Sequence, residues 1–371
     1  MGYSNPNNIA TASKGEEEMV KLEKIRQEFT EYEIDALLIT SAHNRRYAAN
    51  FTGSAGIVLI TQTDAYFITD FRYVEQAKKQ AVGFEIIQHG PSIFSEVAKL
   101  CQEKGIQKLG FEKDHVTFST YETLQKQLPV SLVPVSGLVE KIRMIKSEEE
   151  VKTIKIAADI ADAAYKHILE FIQPGRTELE VSNELEFFMR KAGATSSSFD
   201  TIVASGVRSA LPHGVATNKV IEKGDMVTLD FGAIYNGYIS DITRTLAVGE
   251  PSDQLKEIYQ IVLDAQLLGV EKIGPNMTGK EADSICRDYI AKHGYGEQFG
   301  HSTGHGIGLE VHEGPGLSFR SDTILVPGMV VTCEPGIYVP ELGGVRIEDD
   351  LLITENGNEV LTHSTKELII L

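Results

Sequence analysis

The second half of this chain repeats itself, and the repeat restricts the fold more than any other feature. Pro174-x-x-Thr177-x-x-Glu180 returns 101 residues later as Pro275-x-x-Thr278-x-x-Glu281. Thr-x-x-Glu is a capping box, in which side chains satisfy the first free N–H groups of a helix, so each copy opens a helix just after a proline break. Lys191-Ala-Gly193 returns as Lys292-His-Gly294, again 101 later, where each helix should end. Gly224-Asp-Met-Val-Thr-Leu-Asp230 returns as Gly328-Met-Val-Val-Thr-Cys-Glu334, at an offset of 104. Each half therefore reads as two helices followed by strands. A pseudo-twofold α+β domain around a curved antiparallel sheet follows, and the repeat sets an acid, Glu334, in the place of Asp230.

Within the first copy, residues 226–245 read MVTLDFGAIYNGYISDITRT. Asn236-Gly237 is a two-residue hairpin signal, because both positions tolerate the positive φ of a type I′ turn. That turn pairs Tyr235 with Tyr238, sets Asp230 opposite Thr243 and Asp241 opposite Gly232. Asp230 and Asp241 become diagonal neighbours on one face, with Cβ atoms roughly 7 Å apart or less. Val227, Leu229, Phe231 and Ala233 point the other way, into a core. A divalent cation would relieve the repulsion between the two acids, but a solvated face of an antiparallel sheet would hold them equally well.

The whole chain of 371 residues is long enough for two domains. Residues 1–18 are polar and aperiodic and read as a tail or an added extension; Met19 begins an amphipathic helix and would serve as an internal start. Residues 19–143 alternate strands (Ala36–Thr40, Ile57–Thr61, Ala65–Thr69, Phe84–Gln88, Lys108–Glu112) with helices (Val20–Glu31, Tyr73–Ala81, Phe94–Glu103, Phe118–Gln127). That is an α/β domain with a mostly parallel sheet. Residues 144–371 form the repeated domain, entered through a Ser147/Glu150 capping box and a helix to about Phe171, with later helices at Asp253–Ile273 and Gly279–His293. A net charge of −18 disfavours nucleic acid and anionic membrane as partners. No apolar run is long enough to span a bilayer, and the N-terminus has no signal-peptide pattern. Cys101, Cys286 and Cys333 are scattered and odd in number, which suits a reducing, cytoplasmic setting.

Chemistry concentrates in four stretches: the hairpin; FGHSTGHGIGLEVHE, with His301, His305 and His312; TCEPGIY, with Glu334 and Tyr338; and GVRIEDD, with Arg346 and Glu348. Alternation puts Thr332 with Glu334 on one face and Arg346 with Glu348 on one face. Acids from both copies plus imidazoles make a mixed oxygen and nitrogen donor set, suited to Mn²⁺, Fe²⁺, Co²⁺ or Zn²⁺, and a dinuclear centre would use so many carboxylates. Each piece also has a plain structural reading. Loop histidines, His213 in Pro212-His213-Gly214 among them, are commonly hydrogen-bonding residues. Glu348-Asp349-Asp350 would pass for a solvated charge run, with Asp349 facing away from Glu348. Cys333 points away from Glu334 and reads as a buried structural thiol. The glycines at 304, 306 and 308 do not form G-x-G-x-x-G, and Gly53-Ser-Ala-Gly56 lacks the rest of a P-loop.

LDFG, SDITRT, GHGIGLEVHE, EPGIY and RIEDD, in this order, make the chain resemble the prolidase and Xaa-Pro aminopeptidase group of pita-bread metallopeptidases, relatives of methionine aminopeptidase. The resemblance covers residues 19–371, and Phe71-Arg72-Tyr73 after Asp70 looks like that group's N-terminal domain. It implies two divalent ions per subunit, with manganese expected and cobalt, zinc or iron as alternatives. Asp230 would bind one ion, Asp241 and Glu348 would bridge both, and His305 and Glu334 would bind the other. Glu334 would also take the proton of the attacking water. His213, His301 and His312 match positions that bind substrate or stabilise the tetrahedral intermediate, and Arg346 and Tyr338 match supporting polar positions. The implied reaction is hydrolysis of Xaa-Pro bonds by a homodimer, as a dipeptidase or, alternatively, as an aminopeptidase on longer peptides. A creatinase-like chemistry that does not use metals is disfavoured by the complete ligand set. A non-catalytic peptide- or protein-binding relative is the alternative of another class.

Overall fold

The computed structural model describes residues 18–371. The expected tail over residues 1–18 lies outside the described residues, except for its last position, which belongs to a helix over residues 18–27 (α1). The described residues divide into two compact units, one ending at Arg143 and the other spanning Met144–Leu371.

Six strands form the sheet of the first unit: β1 (Ala36–Ile39), β2 (Ile57–Thr61), β3 (Ala65–Thr69), β4 (Glu85–Gln88), β5 (Lys108–Glu112) and β6 (Ser131–Val135), in the order β4-β3-β2-β1-β5-β6. β3–β4, β1–β5 and β5–β6 are parallel, while β2 runs against both its neighbours because the turn after Thr61 folds β2 and β3 into a hairpin. Helices α2 (Ala42–Ala49), α3 (Val74–Gln80), α4 (Ile93–Glu103), α5 (Phe118–Gln127) and α6 (Leu138–Arg143) complete the unit. Three elements, α2, β6 and α6, are not expected from the sequence. α2 buries Asn44 and Arg45 along with Tyr47, Ala48 and Ala49, which masks its apolar periodicity, and Asn44 bonds Glu112 at 2.8 Å and Glu140 at 2.6 Å. β6 is an edge strand, where Pro134 is tolerated.

In the second unit, α7 (Glu148–Phe171) and α8 (Glu178–Lys191) start on capping boxes at Ser147/Glu150 and Thr177/Glu180, as the spacing predicts. The short strand β7 (Ser196–Ser197) pairs with β10 (Ala233–Tyr235). Strands β8 (Ile202–Ser205), β9 (Asp225–Phe231) and β12 (Ile242–Val248) form one antiparallel sheet, with β10 and β11 (Tyr238–Ile239) as the hairpin tip. The second copy supplies α9 (Asp253–Lys272), α10 (Gly279–Lys292, on the Thr278/Glu281 box) and β13 (Gly304–Gly306), β14 (Glu313–Leu317), β15 (Val330–Cys333), β18 (Asp349–Thr354) and β19 (Gly357–Val360). A separate hairpin, β16 (Gly336–Val339) with β17 (Gly343–Arg346), stands between β15 and β18 in the chain. The predicted register holds: Tyr235 pairs with Tyr238 and Asp230 with Thr243, and Asn236 and Gly237 have φ of 45° and 81°.

Each half has its own core, which is the physical content of the pseudo-twofold. Val227, Leu229, Phe231, Ile242 and Leu246 pack on Ala161, Tyr165 and Ile168 of α7 and on Val181 and Leu185 of α8. Val331, Cys333, Leu351 and Ile353 pack on Ile258, Val262 and Ala265 of α9 and on Ala282, Cys286 and Ile290 of α10. Fully burying one such aliphatic side chain stabilises by about 1.5–3 kcal/mol, so each helix pair is held by its sheet. The polar sides of the two sheets meet along β12. Glu348 N–H donates to the Thr243 carbonyl at 3.1 Å, Thr245 Oγ1 donates to the Arg346 carbonyl at 2.9 Å, and Arg346 N–H donates to Thr245 Oγ1 at 3.2 Å.

Candidate active site

Along that seam the structure gathers the acids that lay far apart in the chain. Asp230 ends β9 beside Phe231, and Asp241 precedes β12. Between them, Gly232 comes so close to the other arm that an added Cβ would lie 1.8 Å from the Ser240 carbonyl oxygen. Glu334 follows β15, Glu348 sits between β17 and β18, and His305 is the middle residue of β13. Ligand atoms of Asp241, His305 and Glu348 lie within 4.8 Å of one another. His305 Nε2 is 3.3 Å from Glu334 Oε1 and 3.9 Å from Asp241 Oδ2.

Arg346 crosses this cluster from the second copy to the first. It bonds Asp230 Oδ2 at 2.6 Å, the Thr243 hydroxyl at 3.1 Å and Tyr338 Oη at 2.7 Å. Two threonines hold the glutamates: Thr243 Oγ1 donates to Glu348 at 2.6 Å, and Thr332 Oγ1 donates to Glu334 at 3.1 Å. Thr332 Oγ1 also accepts the His305 N–H at 3.1 Å. Alternation had set Thr332 with Glu334, but it gave no reason to single out either threonine; that needs the tertiary contacts.

Protonation follows from these contacts. Burial, and then the charges of Glu348, Asp230, Asp350 and Glu334, hold Asp241 well above the ordinary carboxylate range. Burial does the same for Glu348, reinforced by Glu334 and Asp230, and pushes Glu334 up to about 8. The imidazoles move the other way: burial takes His301 down to about 4 and lowers His305 and His312. His305 Nδ1 faces the Gly306 carbonyl at 3.1 Å, so the proton sits there and the Nε2 lone pair faces the acids. His301 Nδ1 likewise faces the Ser302 carbonyl at 2.8 Å, which makes Nε2 the acceptor of the Tyr338 hydroxyl at 2.7 Å.

These residues fit divalent cations. Asp230 Oδ1 and Asp241 Oδ1 are buried and have no hydrogen-bond partner, an arrangement that disfavours two neighbouring carboxylates unless a cation sits between them. Of the substrate-side histidines, the His312 ring lies tilted against His305 with centroids 4.4 Å apart, and His213 is close enough to add to the lowering of both His301 and His312. Glu348-Asp349-Asp350 is not a solvated run: all three are buried. Asp349 faces away from the cluster, as alternation predicts, and pairs with Arg244 at 2.7 Å and Lys366 at 2.6 Å. Asp350 accepts the Asp241 N–H at 3.0 Å, a contact that sequence reasoning did not find. Cys333 is fully buried in the core of the second copy.

A doubled α+β unit that buries unpaired carboxylate oxygens beside a lone-pair imidazole defines a metal-dependent hydrolase of the pita-bread class. Residues 152–355 match metallopeptidase family M24, and residues 21–145 match the creatinase/prolidase N-terminal domain; the chain belongs to family M24. It is 44% identical over 353 residues to a Pyrococcus horikoshii protein named Xaa-Pro dipeptidase, covering 94% of this chain and 98% of that one. A solved Xaa-Pro dipeptidase from Bacillus anthracis is 67% identical, with a TM-score of 0.95 over 95% of this chain and 100% of that one. A solved X-Pro aminopeptidase from Thermotoga maritima is 42% identical, with a TM-score of 0.87 over 91% and 98%.

Proposed function

We propose that this protein is an Xaa-Pro dipeptidase working with two divalent ions, manganese foremost, held by Asp230, Asp241, His305, Glu334 and Glu348. The observation that carries the reading is the pair of buried, unpartnered oxygens on Asp230 and Asp241, beside the lone pair of His305. The ions would supply Lewis acidity toward the scissile carbonyl and a lowered pKa for water. Glu334 is suited to take the proton of the attacking water, because it lies beside His305 in the cluster and one of its oxygens is not held by Thr332. His312 and His213, whose rings border the cluster, would donate to the oxyanion or to the substrate's carboxylate. Arg346 holds Asp230 in place and offsets the crowded negative charge, and through Tyr338 it orders His301. An Xaa-Pro bond has no N–H on the proline side, so a site that works through carbonyl and carboxylate contacts suits it.

The second reading, an Xaa-Pro aminopeptidase, is the less favoured one: the Thermotoga neighbour carries that name at 42% identity, against 67% for the Bacillus anthracis dipeptidase. One assay separates them: matched Xaa-Pro dipeptide and Xaa-Pro-Xaa tripeptide, each with Mn²⁺, Co²⁺ and Zn²⁺. Cleavage of the dipeptide with little turnover of the tripeptide supports the dipeptidase. The reverse supports the aminopeptidase. Protein that holds no divalent ion and cleaves neither removes the enzyme and leaves the non-catalytic binding protein. A cytoplasmic setting suits three free, buried cysteines, and among the described residues no helix is long and apolar enough to cross a membrane. The homodimer rests on family resemblance, and sedimentation equilibrium tests it.

A further inference from the structure

Each of the three substrate-side histidines rides on a loop pinned by an acid with a basic partner. Arg287, paired with Asp283, bonds the Phe299 and His301 carbonyls at 3.1 and 2.7 Å, and Asp283 accepts the Thr303 N–H at 2.9 Å. Glu313, beside Lys146, accepts the Leu309 and Glu310 N–H groups at 2.7 and 3.0 Å, just before His312. The loop of His213 is held by Glu178, a residue no motif points to.

Glu178 is the first residue of α8 and its side chain is fully buried. Its carboxylate closes the neck of the loop between Ser205, at the end of β8, and Thr217. On one side it accepts from the Ser205 N–H at 2.8 Å and the Ser205 hydroxyl at 2.9 Å. On the other it accepts from the Thr217 N–H at 3.1 Å and the Thr217 hydroxyl at 2.8 Å. Arg208, inside the loop, pairs with both carboxylate oxygens and donates from Nη2 to the Val215 carbonyl, two residues beyond His213, at 2.7 Å. The loop has no apolar core of its own to replace these contacts: Val207, Leu211 and Val215 are exposed. Close packing elsewhere in the loop is local: an added Cβ at Gly214 would lie 2.8 Å from that of Ala204 and one at Gly206 2.6 Å from Asp225 Oδ1, while Ser209 Oγ accepts the Gly344 N–H at 2.8 Å.

We infer that Glu178 is a positioning residue for His213, setting where the imidazole stands through the neck of the 205–217 loop. The inference rests on the proposed role of His213 in Xaa-Pro hydrolysis. Glutamine at 178 keeps the size and one acceptor oxygen, but cannot accept from Ser205, Thr217 and Arg208 together. A displacement of about 1 Å at a catalytic group costs on the order of 100-fold in rate.

The test is a kinetic cycle on the metal-loaded enzyme: wild type, Glu178→Gln, His213→Asn and the double variant, with hydrogen exchange followed in parallel. Expected are unchanged metal content, faster exchange confined to residues 205–217, and a fall in kcat/KM of roughly 10–100-fold. In the His213→Asn background the same Glu178→Gln change should then cost no more than about twofold, because its effect passes through the missing imidazole. Equal losses in both backgrounds, or unchanged exchange in the loop, overturn the inference. If the wild-type enzyme cleaves no Xaa-Pro peptide, the proposed function fails by itself. The His213 ring resonance in ¹³C-histidine-labelled protein then decides: a displaced or broadened signal in Glu178→Gln supports the inference, and an unmoved one refutes it.

Discussion

Stripped of metal, this protein should lose stability as pH rises from about 7 to about 8.5, and loading the metal should remove that loss. A carboxyl whose folded pKa stands above its unfolded value stabilises the fold below the unfolded value and loses that contribution as pH rises through the folded one. Glu334, ordinarily near 4.5, is at about 8, and Asp241 and Glu348 are also held well above the ordinary range. At about 1.4 kcal/mol per pH unit for each proton retained by the folded state, Glu334 alone costs roughly 1 kcal/mol across this window, and Asp241 and Glu348 act in the same direction. The site histidines work in the opposite direction, since burial lowers them, but above neutral pH they are almost fully neutral in both states and return only a few tenths of a kcal/mol each. Urea unfolding of chelator-treated and metal-loaded protein at several pH values measures the difference directly. Calorimetric titration with metal near pH 7, in two buffers of different ionisation enthalpy, should show at least about one proton released per site. Equal pH slopes with and without metal, or binding with no proton release, would refute the view that burial and mutual repulsion leave these carboxyls partly protonated.

The other predictions concern single side chains. His312→Ala should keep its metal and lose roughly 100- to 1,000-fold in kcat, as for removal of an oxyanion donor; loss of metal would instead make this ring a ligand. Asp349→Ala leaves Arg244 and Lys366 without their shared carboxylate, and Arg244 is fully buried, so urea unfolding should show a loss of about 3–5 kcal/mol. A loss below about 1 kcal/mol would mean that solvent reaches that knot. Gly232→Ala drives a methyl into the Ser240 carbonyl and parts the two hairpin arms that carry Asp230 and Asp241. Metal content should fall along with the melting temperature, and a variant with native metal content would show that the arms separate without disturbing the acids.

Much of the site could be read from local chemistry. Asn236-Gly237 sets the turn, the turn sets the register, and the register puts Asp230 opposite Thr243 with the apolar residues on the other face. Capping boxes at Thr177 and Thr278 mark the same helix start in both copies, and the repeat leads from Asp230 to Glu334. These signals are legible because each depends on neighbours within a few positions. α2 escaped because its buried face mixes Asn44 and Arg45 with Tyr47, Ala48 and Ala49, and Asn44 is satisfied by Glu112 and Glu140, far along the chain. β2 and β3, expected as strands joined by a turn at Gln62–Asp64, form that hairpin within a mostly parallel sheet, and only the antiparallel pairing of β2 with β1 was not legible.

By itself, then, the sequence determined the doubled helix–helix–strand plan, the hairpin register and the residue types that can hold a metal, because turns, caps and alternation are short-range constraints. Only the tertiary structure decided how those residues are charged and held. Thr243 reaches Glu348 and Arg346 reaches Asp230 across more than a hundred residues, Asp349 turns into a buried ionic knot, and Glu178 closes the loop of His213. Burial then sets the protonation of Glu334 and the tautomers of the histidines, and burial is a property of the packed chain that no local pattern encodes.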